Sequence, residues 1–134
     1  MESVKVRIEG DADVGFKFAA VAPALPKKAA LYISTKKSLW LMDYEGALGI
    51  IDDYAEQCMS AMMGKTDYII IYPAESAVKV DGQNLIMGEC LIMKSENGVQ
   101  CMNRDELEAA FTEYVSRITS VCAGQYELPA YQVD

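Results

Sequence analysis

Two stretches at the start of the chain alternate between apolar and polar residues. Val or Ile stands at every second position of residues 4–9, and residues 14–20 repeat the alternation with Val, Phe and Ala. A period of two predicts half-buried β-strands, so we expect residues 3–20 to form a hairpin with one apolar face. Pro23 and Pro26 end it, because proline cannot donate a hydrogen bond to a strand ladder.

A second hairpin is predicted by two short β-prone runs, residues 30–33 and 39–42, which a polar loop separates. The loop carries two adjacent lysines, Lys36 and Lys37, in a chain with few basic residues. We take this lysine pair as a candidate contact site for a partner. The alternative is that the two side chains are simply solvated.

A helix is predicted where apolar residues next recur at a spacing of three and four, between Leu48 and Met62. Asp43 can act as the N-cap of this helix, and Gly64 offers a C-terminal stop. We therefore expect an amphipathic helix over residues 44–63.

The opposite face of this predicted helix is acidic and provides the main candidate partner-binding residues, Glu45, Asp52, Asp53 and Glu56. Exposed carboxylates attract a basic surface on another molecule, although ordinary solvation also accounts for them. Methionines near the end of the helix, Met59, Met62 and Met63, are expected in the core. An adaptable binding surface is the alternative for them.

Residues 77–102 predict a three-stranded antiparallel meander. Asp81-Gly82 and Asn97-Gly98 each stand between β-prone runs. Such dipeptides favour a type I′ hairpin turn, because both central residues of that turn need a positive φ.

The register of this meander bears on the cysteines. If the second turn is a two-residue loop, Lys94 faces Cys101 across the hairpin. Cys90 then lies beyond the end of the last strand, so we do not expect a disulfide between Cys90 and Cys101. Residues 88–89, a Gly-Glu dipeptide midway along the long strand, are expected to form a bulge.

The last helix has the clearest predicted boundary. Asn103 and Glu106 have the spacing of a capping box, in which each residue's side chain bonds to the other's backbone N–H. An apolar stripe then continues to Cys122, and Gly124 stops it, so a helix is expected over residues 104–122. We expect the tail that follows to pack against the domain or a partner.

Together these elements predict an α+β fold, with a mostly antiparallel sheet built from hairpins and packed with two amphipathic helices, at about residues 44–63 and 104–122. A central strand is predicted at residues 68–72, a run of β-formers buried on both faces. Because 134 residues is the size of one ordinary domain, we expect residues 1–134 to form a single domain.

The chain is acidic, with 20 Asp and Glu against 12 Lys and Arg and a net charge of −8. This excess disfavours contact with the phosphates of nucleic acids and with anionic membranes, so we expect neither as a direct partner. A protein with a basic surface is the favoured partner. Acidity that serves solubility is the alternative explanation.

Compartment is predicted from what the sequence lacks. No apolar run approaches the roughly 18 residues of a membrane-spanning helix, and the first residues do not have the order of a signal peptide. The four cysteines are scattered without CxxC spacing, which favours free thiols over disulfides or a metal site. We therefore expect a cytoplasmic protein.

The chain contains no histidine, which excludes Ser-His-Asp and Cys-His nucleophilic sites and histidine-ligated metals. It also contains no phosphate-binding glycine motif. Catalysis by carboxylates alone remains open, although capping and solvation also explain the paired acidic residues on the helices. We predict no catalytic residue, no metal site and no cofactor, and we favour a binding protein over an enzyme.

The C-terminal third resembles a hairpin-then-helix unit of small uncharacterised proteins from bacteriophages and mobile elements. The matching residues are Leu91-Ile92-Met93, Asn97-Gly98, Arg104-Asp105-Glu106-Leu107, Phe111 and Tyr114. This resemblance implies an accessory protein that inhibits a host defence nuclease in the anti-CRISPR manner. It assigns no functional residue.

Three functions are therefore open. The leading hypothesis is a non-catalytic protein-binding module, an inhibitor from a phage or mobile element that turns its acidic surface to a host nucleic-acid-binding protein. The second is a small-ligand binder or enzyme with a carboxylate and tyrosine pocket, whose candidate lining residues are Tyr68, Tyr72, Tyr114 and Trp40. The third is a structural or assembly subunit, which an exposed sheet edge and a homo-oligomer would distinguish.

Overall fold

The computed structural model describes residues 3–11, 15–20, 27–34, 38–123 and 126–133. These residues form helices α1 (Tyr44–Tyr54) and α2 (Arg104–Ser116) and two short 3₁₀ helices, Ala55–Gln57 and Ala74–Ser76. The strands, in chain order, are β1 (Ser3–Asp11), β2 (Gly15–Ala20), β3 (Ala30–Ile33), β4 (Leu39–Met42), β5 (Cys58–Met62), β6 (Tyr68–Pro73), β7 (Ala77–Val80), β8 (Gln83–Ile86), β9 (Cys90–Ser95), β10 (Val99–Gln100), β11 (Ile118–Ala123) and β12 (Tyr126–Val133).

The strands form two antiparallel sheets, and the fold is α+β as predicted. The large sheet has the order β2-β1-β4-β3-β9-β6-β5, and β10 adds to β9. The small sheet has the order β11-β12-β8-β7. The two N-terminal hairpins, β1–β2 and β3–β4, are confirmed as antiparallel pairs.

The large sheet is apolar on both faces, which gives the molecule a layered core. In β9, Cys90 and Ile92 join a cluster with α2 and the small sheet, whereas Leu91 and Met93 join a cluster with α1. The central strand predicted at residues 68–72 is confirmed as β6, which pairs with β9 on one side and β5 on the other. Helix α1 therefore covers one face of the large sheet, and α2 with the small sheet covers the other.

The helix predicted over residues 44–63 is wrong in its second half. Asp43 caps α1 by accepting from the Gly46 N–H at 2.7 Å, as expected. The helix ends at Tyr54, because Ala55 turns the chain with a φ of 50° and a ψ of −129°. The next residues then form strand β5 on the edge of β6, so sheet pairing overrides the helical spacing of the apolar residues.

The helix predicted over residues 104–122 is also too long. The predicted capping box is confirmed, since Asn103 Oδ1 accepts from the Glu106 N–H and Glu106 Oε1 accepts from the Asn103 N–H. Helix α2 ends at Ser116, and the β-branched residues that follow pair as β11 with β12. The tail is thus a strand of the small sheet, which confirms that it packs against the rest of the chain.

The three-stranded meander predicted over residues 77–102 is wrong, because β8 and β9 lie in different sheets. The predicted bulge at residues 88–89 is instead the crossing between the sheets. There the Met87 N–H donates to the Ser76 carbonyl at 2.8 Å. A Cβ on Gly88 would lie 2.5 Å from Ser76 Oγ, so only glycine fits this crossing without a shift of its neighbours.

Both predicted turns form, but the second differs in register. Asp81, Gly82, Asn97 and Gly98 all have a positive φ. At the second turn Glu96 joins the loop and donates its N–H to the Gly98 carbonyl, so Lys94 pairs with Gln100 rather than with Cys101. The conclusion about the thiols stands, since Cys90 pairs with Ile33 in the ladder, and Cys58, Cys90 and Cys101 form no disulfide.

The helices of the described residues are too short or too polar to span a bilayer.

Candidate functional site

The four predicted acidic residues lie along α1 and the 3₁₀ helix that follows it, and all four are exposed. Glu45 lies in the first turn of α1, and Asp52 and Asp53 lie in its last turn. Glu56 lies in the 3₁₀ helix Ala55–Gln57. Within the described residues these side chains form no ion pair with one another or with a cation. Their charge is therefore available to a partner.

The structure does not assemble the predicted tyrosine pocket. Tyr68, Tyr72 and Tyr114 belong to the apolar cluster on the α2 face of the large sheet. Trp40 pairs with Tyr32, whose side chain belongs to the opposite, α1 face. The sheet therefore separates Trp40 from the three tyrosines. The predicted lysine pair at residues 36–37 lies outside the described residues.

A cleft of about 320 Å³ opens beside the C-terminal end of α1. Strand β3, helix α1 and the segments before and after β7–β8 supply its walls. Among the described residues that line it, three side chains are carboxylates, two are tyrosines and one is an amide, and none is a lysine or arginine. These polar lining residues are Tyr32, Asp53, Tyr54, Gln57, Glu75 and Glu89. Of the sequence-predicted acidic residues, only Asp53 lines this cleft.

Two tyrosine hydroxyls hold one carboxylate oxygen in the cleft. The Tyr32 hydroxyl donates to Glu89 Oε2 at 2.5 Å, and the Tyr54 hydroxyl donates to the same oxygen at 3.1 Å. The other oxygen, Oε1, has no partner among the described residues. Among the same residues, no buried side-chain nitrogen or oxygen lacks a hydrogen-bond partner. Among the described residues, the carboxylate is therefore held by one oxygen and has no partner at the other.

Each of these three side chains is positioned by a local feature of the sequence. Tyr32 is the one polar-tipped residue of β3 and points to the α1 face because strand side chains alternate. Tyr54 is the last residue of α1 and is buried against the sheet. Glu89 stands at the sheet crossing, directly after Gly88. The site thus joins three elements that are distant in sequence.

Burial and the neighbouring carboxylate keep both tyrosines protonated. Desolvation raises the pKa of Tyr32 most, and its hydrogen bond to Glu89 raises it further. Desolvation is also the largest cause of the raised pKa of Tyr54, followed by the charge of Glu89. Ionising either hydroxyl would put a second negative charge beside the carboxylate. The tyrosines are therefore hydrogen-bond donors at neutral pH and poor general bases.

Sequence reasoning missed Glu89 because the residue was taken as part of a bulge midway along the long strand of the predicted meander. A signal was nevertheless present, since Glu89 is the only charged residue between Asn84 and Lys94, in an otherwise apolar run. An isolated charge in such a run is costly to bury unless hydrogen bonds satisfy it. The isolated charge therefore indicates that Glu89 needs hydrogen-bond donors, although the sequence does not identify them.

The arrangement is suited to binding. Within the described part of the chain, no group of three or more Cys, Asp or Glu side chains could hold a metal ion. The chain also has no histidine. What the cleft does offer is a carboxylate oxygen without a partner among the described residues, two further carboxylates and two aromatic rings, which together complement a cation.

No protein-family model, no curated protein sequence and no solved structure matches this chain.

Proposed function

We propose that this protein is a non-catalytic binding protein that holds a positively charged group of another protein in the cleft around Glu89. The observation that carries the proposal is the state of that carboxylate. Neutral tyrosine hydroxyls orient it, and among the described residues no lysine or arginine lines the cleft and one carboxylate oxygen has no partner. A carboxylate without a cation partner gains most from a ligand that supplies one.

The surroundings of the cleft strengthen its attraction for a cation. Asp53 and Glu75 line the same cleft, and Asp52 and Glu56 are exposed on the segment beside it. Charges of one sign in a concave site add up and raise the local concentration of an oppositely charged ligand. The overall net charge of −8 acts in the same direction.

The chemical class of the bound group is the ammonium of a lysine or the guanidinium of an arginine. The cleft is of the size of a side chain rather than of a large cofactor. Its tyrosine rings add a face for cation–π contact, which favours the flat guanidinium. The exposed acidic residues of α1 then contact further basic residues of the same partner and speed its association.

In its finer form, the proposal is that the partner is a host defence protein that binds nucleic acid, in the cytoplasm. The resemblance of the C-terminal third to proteins of phages and mobile elements supports the class of partner. The absence of a disulfide at Cys58, Cys90 and Cys101 supports a reducing compartment. An acidic protein that occupies a basic groove excludes nucleic acid from it by competition. Displacement of labelled DNA from a candidate nuclease tests this form directly.

The binding proposal itself is tested with small cations of defined chemistry. Titration of ¹⁵N-labelled protein with N-acetyl-arginine methylamide should shift the amide signals of residues 88–90, Tyr32 and Tyr54. N-acetyl-lysine methylamide should act more weakly, and N-acetyl-glutamate methylamide should leave these signals in place. Shifts spread evenly over all acidic surface residues, with none centred on Glu89, would overturn the cleft as the binding site.

The acidic surface of α1 is tested by charge reversal at Glu45, Asp52, Asp53 and Glu56 together. An arginine-rich peptide should bind this variant at least about tenfold more weakly, because both steering and contact are lost. Asp81→Asn in the β7–β8 turn is the matched control for a lost charge outside the cleft. Unchanged affinity in the quadruple variant, with its far-UV spectrum intact, would remove these four residues from the binding surface.

A further inference from the structure

Strand β5 is the last strand on its side of the large sheet and pairs only with β6 among the described strands. The Met63 N–H donates to the Tyr68 carbonyl at 2.9 Å, which places residue 63 and every second residue before it in the ladder with β6. The backbone groups of Ser60 and Met62 therefore point away from β6. They form a free edge on which another strand can add.

This edge lacks the features with which natural proteins protect an edge strand. Residues 57–64 contain no charged residue and no proline, and β5 runs without a bulge along β6. By contrast, β7, one of the two edge strands of the small sheet, carries the exposed Lys79. An uncharged, regular edge is a site of strand addition unless something covers it.

Two methionine side chains of β5 are more exposed than is usual for apolar residues. Met59 and Met62 are each 45% exposed, on opposite faces of the strand. An apolar cleft of about 350 Å³ adjoins Met59, with Val78 and Leu85 in its lining. Methionine is usually buried, and the two half-exposed methionines would give an added strand apolar surface to cover on both faces of the sheet.

The segment is complementary to itself when it pairs antiparallel about Ser60. In that register the outward-facing Ser60 lies opposite Ser60 of a second copy, and Met59 lies opposite Ala61. The exposed Glu56 precedes the strand and the exposed Lys65 follows it. Antiparallel pairing brings the start of one strand beside the end of the other, so opposite charges meet at both ends of the paired segment.

We infer that β5 is a dimerisation edge, on which a second copy of this chain adds its own β5. The large sheet then continues across a two-fold axis that passes between the two copies of Ser60. The backbone groups of Ser60 and Met62 supply the hydrogen bonds. The Glu56–Lys65 pairs fix the register, and the added strand shields the half-exposed methionines from water. This interface does not involve Glu89 or its two tyrosine partners, but it shares Glu56 with the acidic surface of the proposed function.

Sedimentation velocity across the micromolar range tests the dimer. Ser60→Lys places two like charges opposite each other on the axis and should weaken association at least about tenfold. Ser60→Pro should do the same while the chain stays folded, because the lost N–H points outward. The matched control is Ser120→Lys, the same change at an exposed position of β11, an edge strand of the small sheet. It should leave association unchanged.

A charge swap tests the register. Glu56→Lys and Lys65→Glu should each weaken the dimer, and the double variant should restore it, because each end of the pairing then regains opposite charges. Amide exchange at Ser60 and Met62 should slow as protein concentration rises. The inference is overturned if the wild-type chain stays monomeric at all concentrations, if Ser120→Lys rather than Ser60→Lys dissociates it, or if the swap does not restore association.

Discussion

Glu89 and Glu106 are two partly exposed glutamates with opposite surroundings. Glu106 bonds through both oxygens, one to the Asn103 N–H at 3.0 Å and the other to Lys94 Nζ at 2.8 Å. Among the described residues, Glu89 bonds through one oxygen only, and both of its donors are neutral tyrosine hydroxyls. The charge of Glu106 is therefore neutralised within the fold, whereas no described cation neutralises the charge of Glu89.

This difference separates a structural role from a binding role. At Glu106 the charge serves the fold, since it closes the capping box of α2 and ties that helix to β9 through Lys94. At Glu89 the tyrosines orient the carboxylate and leave its charge for another molecule. A carboxylate that the fold holds in place without a cation keeps most of its capacity to bind one.

The largest expected effect is on ligand binding by Glu89→Gln, which keeps the shape and the acceptor oxygen but removes the charge. An arginine-rich peptide should bind this variant about tenfold more weakly, which corresponds to about 1.4 kcal/mol. Glu106→Gln should leave the affinity within twofold or so, because Lys94 already neutralises that residue. Isothermal titration calorimetry measures both. Equal losses of affinity in the two variants would contradict a binding role that Glu89 has and Glu106 lacks.

The next effect is on stability, from Tyr32→Phe. Removing the shorter of the two hydrogen bonds to Glu89 should lower the free energy of unfolding by about 1 kcal/mol, measured by urea denaturation. A double-mutant cycle with Glu89→Gln assigns the loss to this contact if the two changes are not additive. Additive effects would show that the hydroxyl does not act through Glu89.

A somewhat smaller loss, about 0.8 kcal/mol, is expected from Glu106→Gln, because the capping box and its charge are weakened. The hydrogen bond from Lys94 is the main reason why the pKa of Glu106 is lowered from its ordinary value of 4.5, and the Asn103 N–H adds to it. A carboxyl whose folded pKa is lowered stabilises the fold above its unfolded pKa and loses that contribution as the pH falls through the folded value.

The difference in free energy of unfolding between the wild type and Glu106→Gln should therefore be largest at neutral pH. It should fall as the pH drops below 4.5 and vanish below the folded pKa of Glu106. Lys94→Gln should move the pKa of Glu106 back toward its ordinary value and shift this transition upward. Denaturant curves at several pH values provide the measurement. A difference that persists unchanged in strong acid would exclude the Glu106 charge as its source.

The smallest effect concerns the backbone that ends α1 beside the cleft. Ala55 has a φ of 50° and a ψ of −129°, a conformation that strains any residue with a Cβ. Ala55→Gly should raise the free energy of unfolding by about 0.5 kcal/mol, since relief of strain outweighs the added freedom of the unfolded chain. Binding of the arginine-rich peptide should not change. A lower free energy of unfolding would mean that the contacts of Ala55 stabilise the fold by more than its backbone strain destabilises it.

Local signals in the sequence predicted local structure well. The capping box of Asn103 and Glu106, the N-cap Asp43 and the turn at Asp81-Gly82 depend on residues close in sequence, and each forms as expected. Both helices were nevertheless predicted too long. Apolar spacing after Tyr54 and after Ser116 also fits a strand face, and only the presence of β6 and β12 as pairing partners decides between the two.

The candidate site was predicted only in part. The exposed acidic residues of α1 were found because their periodicity places them on one face of a helix. The Glu89 cleft was not found, because its members Tyr32, Tyr54 and Glu89 come from three elements whose contact follows from the strand order β4-β3-β9-β6. Nothing in local spacing encodes which strands become neighbours.

By itself, the sequence determined the acidic balance, the absence of histidine, the hairpin turns, the helix starts and the α+β class, because each follows from composition or from residues within one element. The tertiary structure alone decided where the helices end, how the strands divide between two sheets, and that two tyrosines meet one carboxylate. These features depend on long-range backbone pairing, in which the hydrogen bonds and apolar faces of distant segments select one another and override local preference.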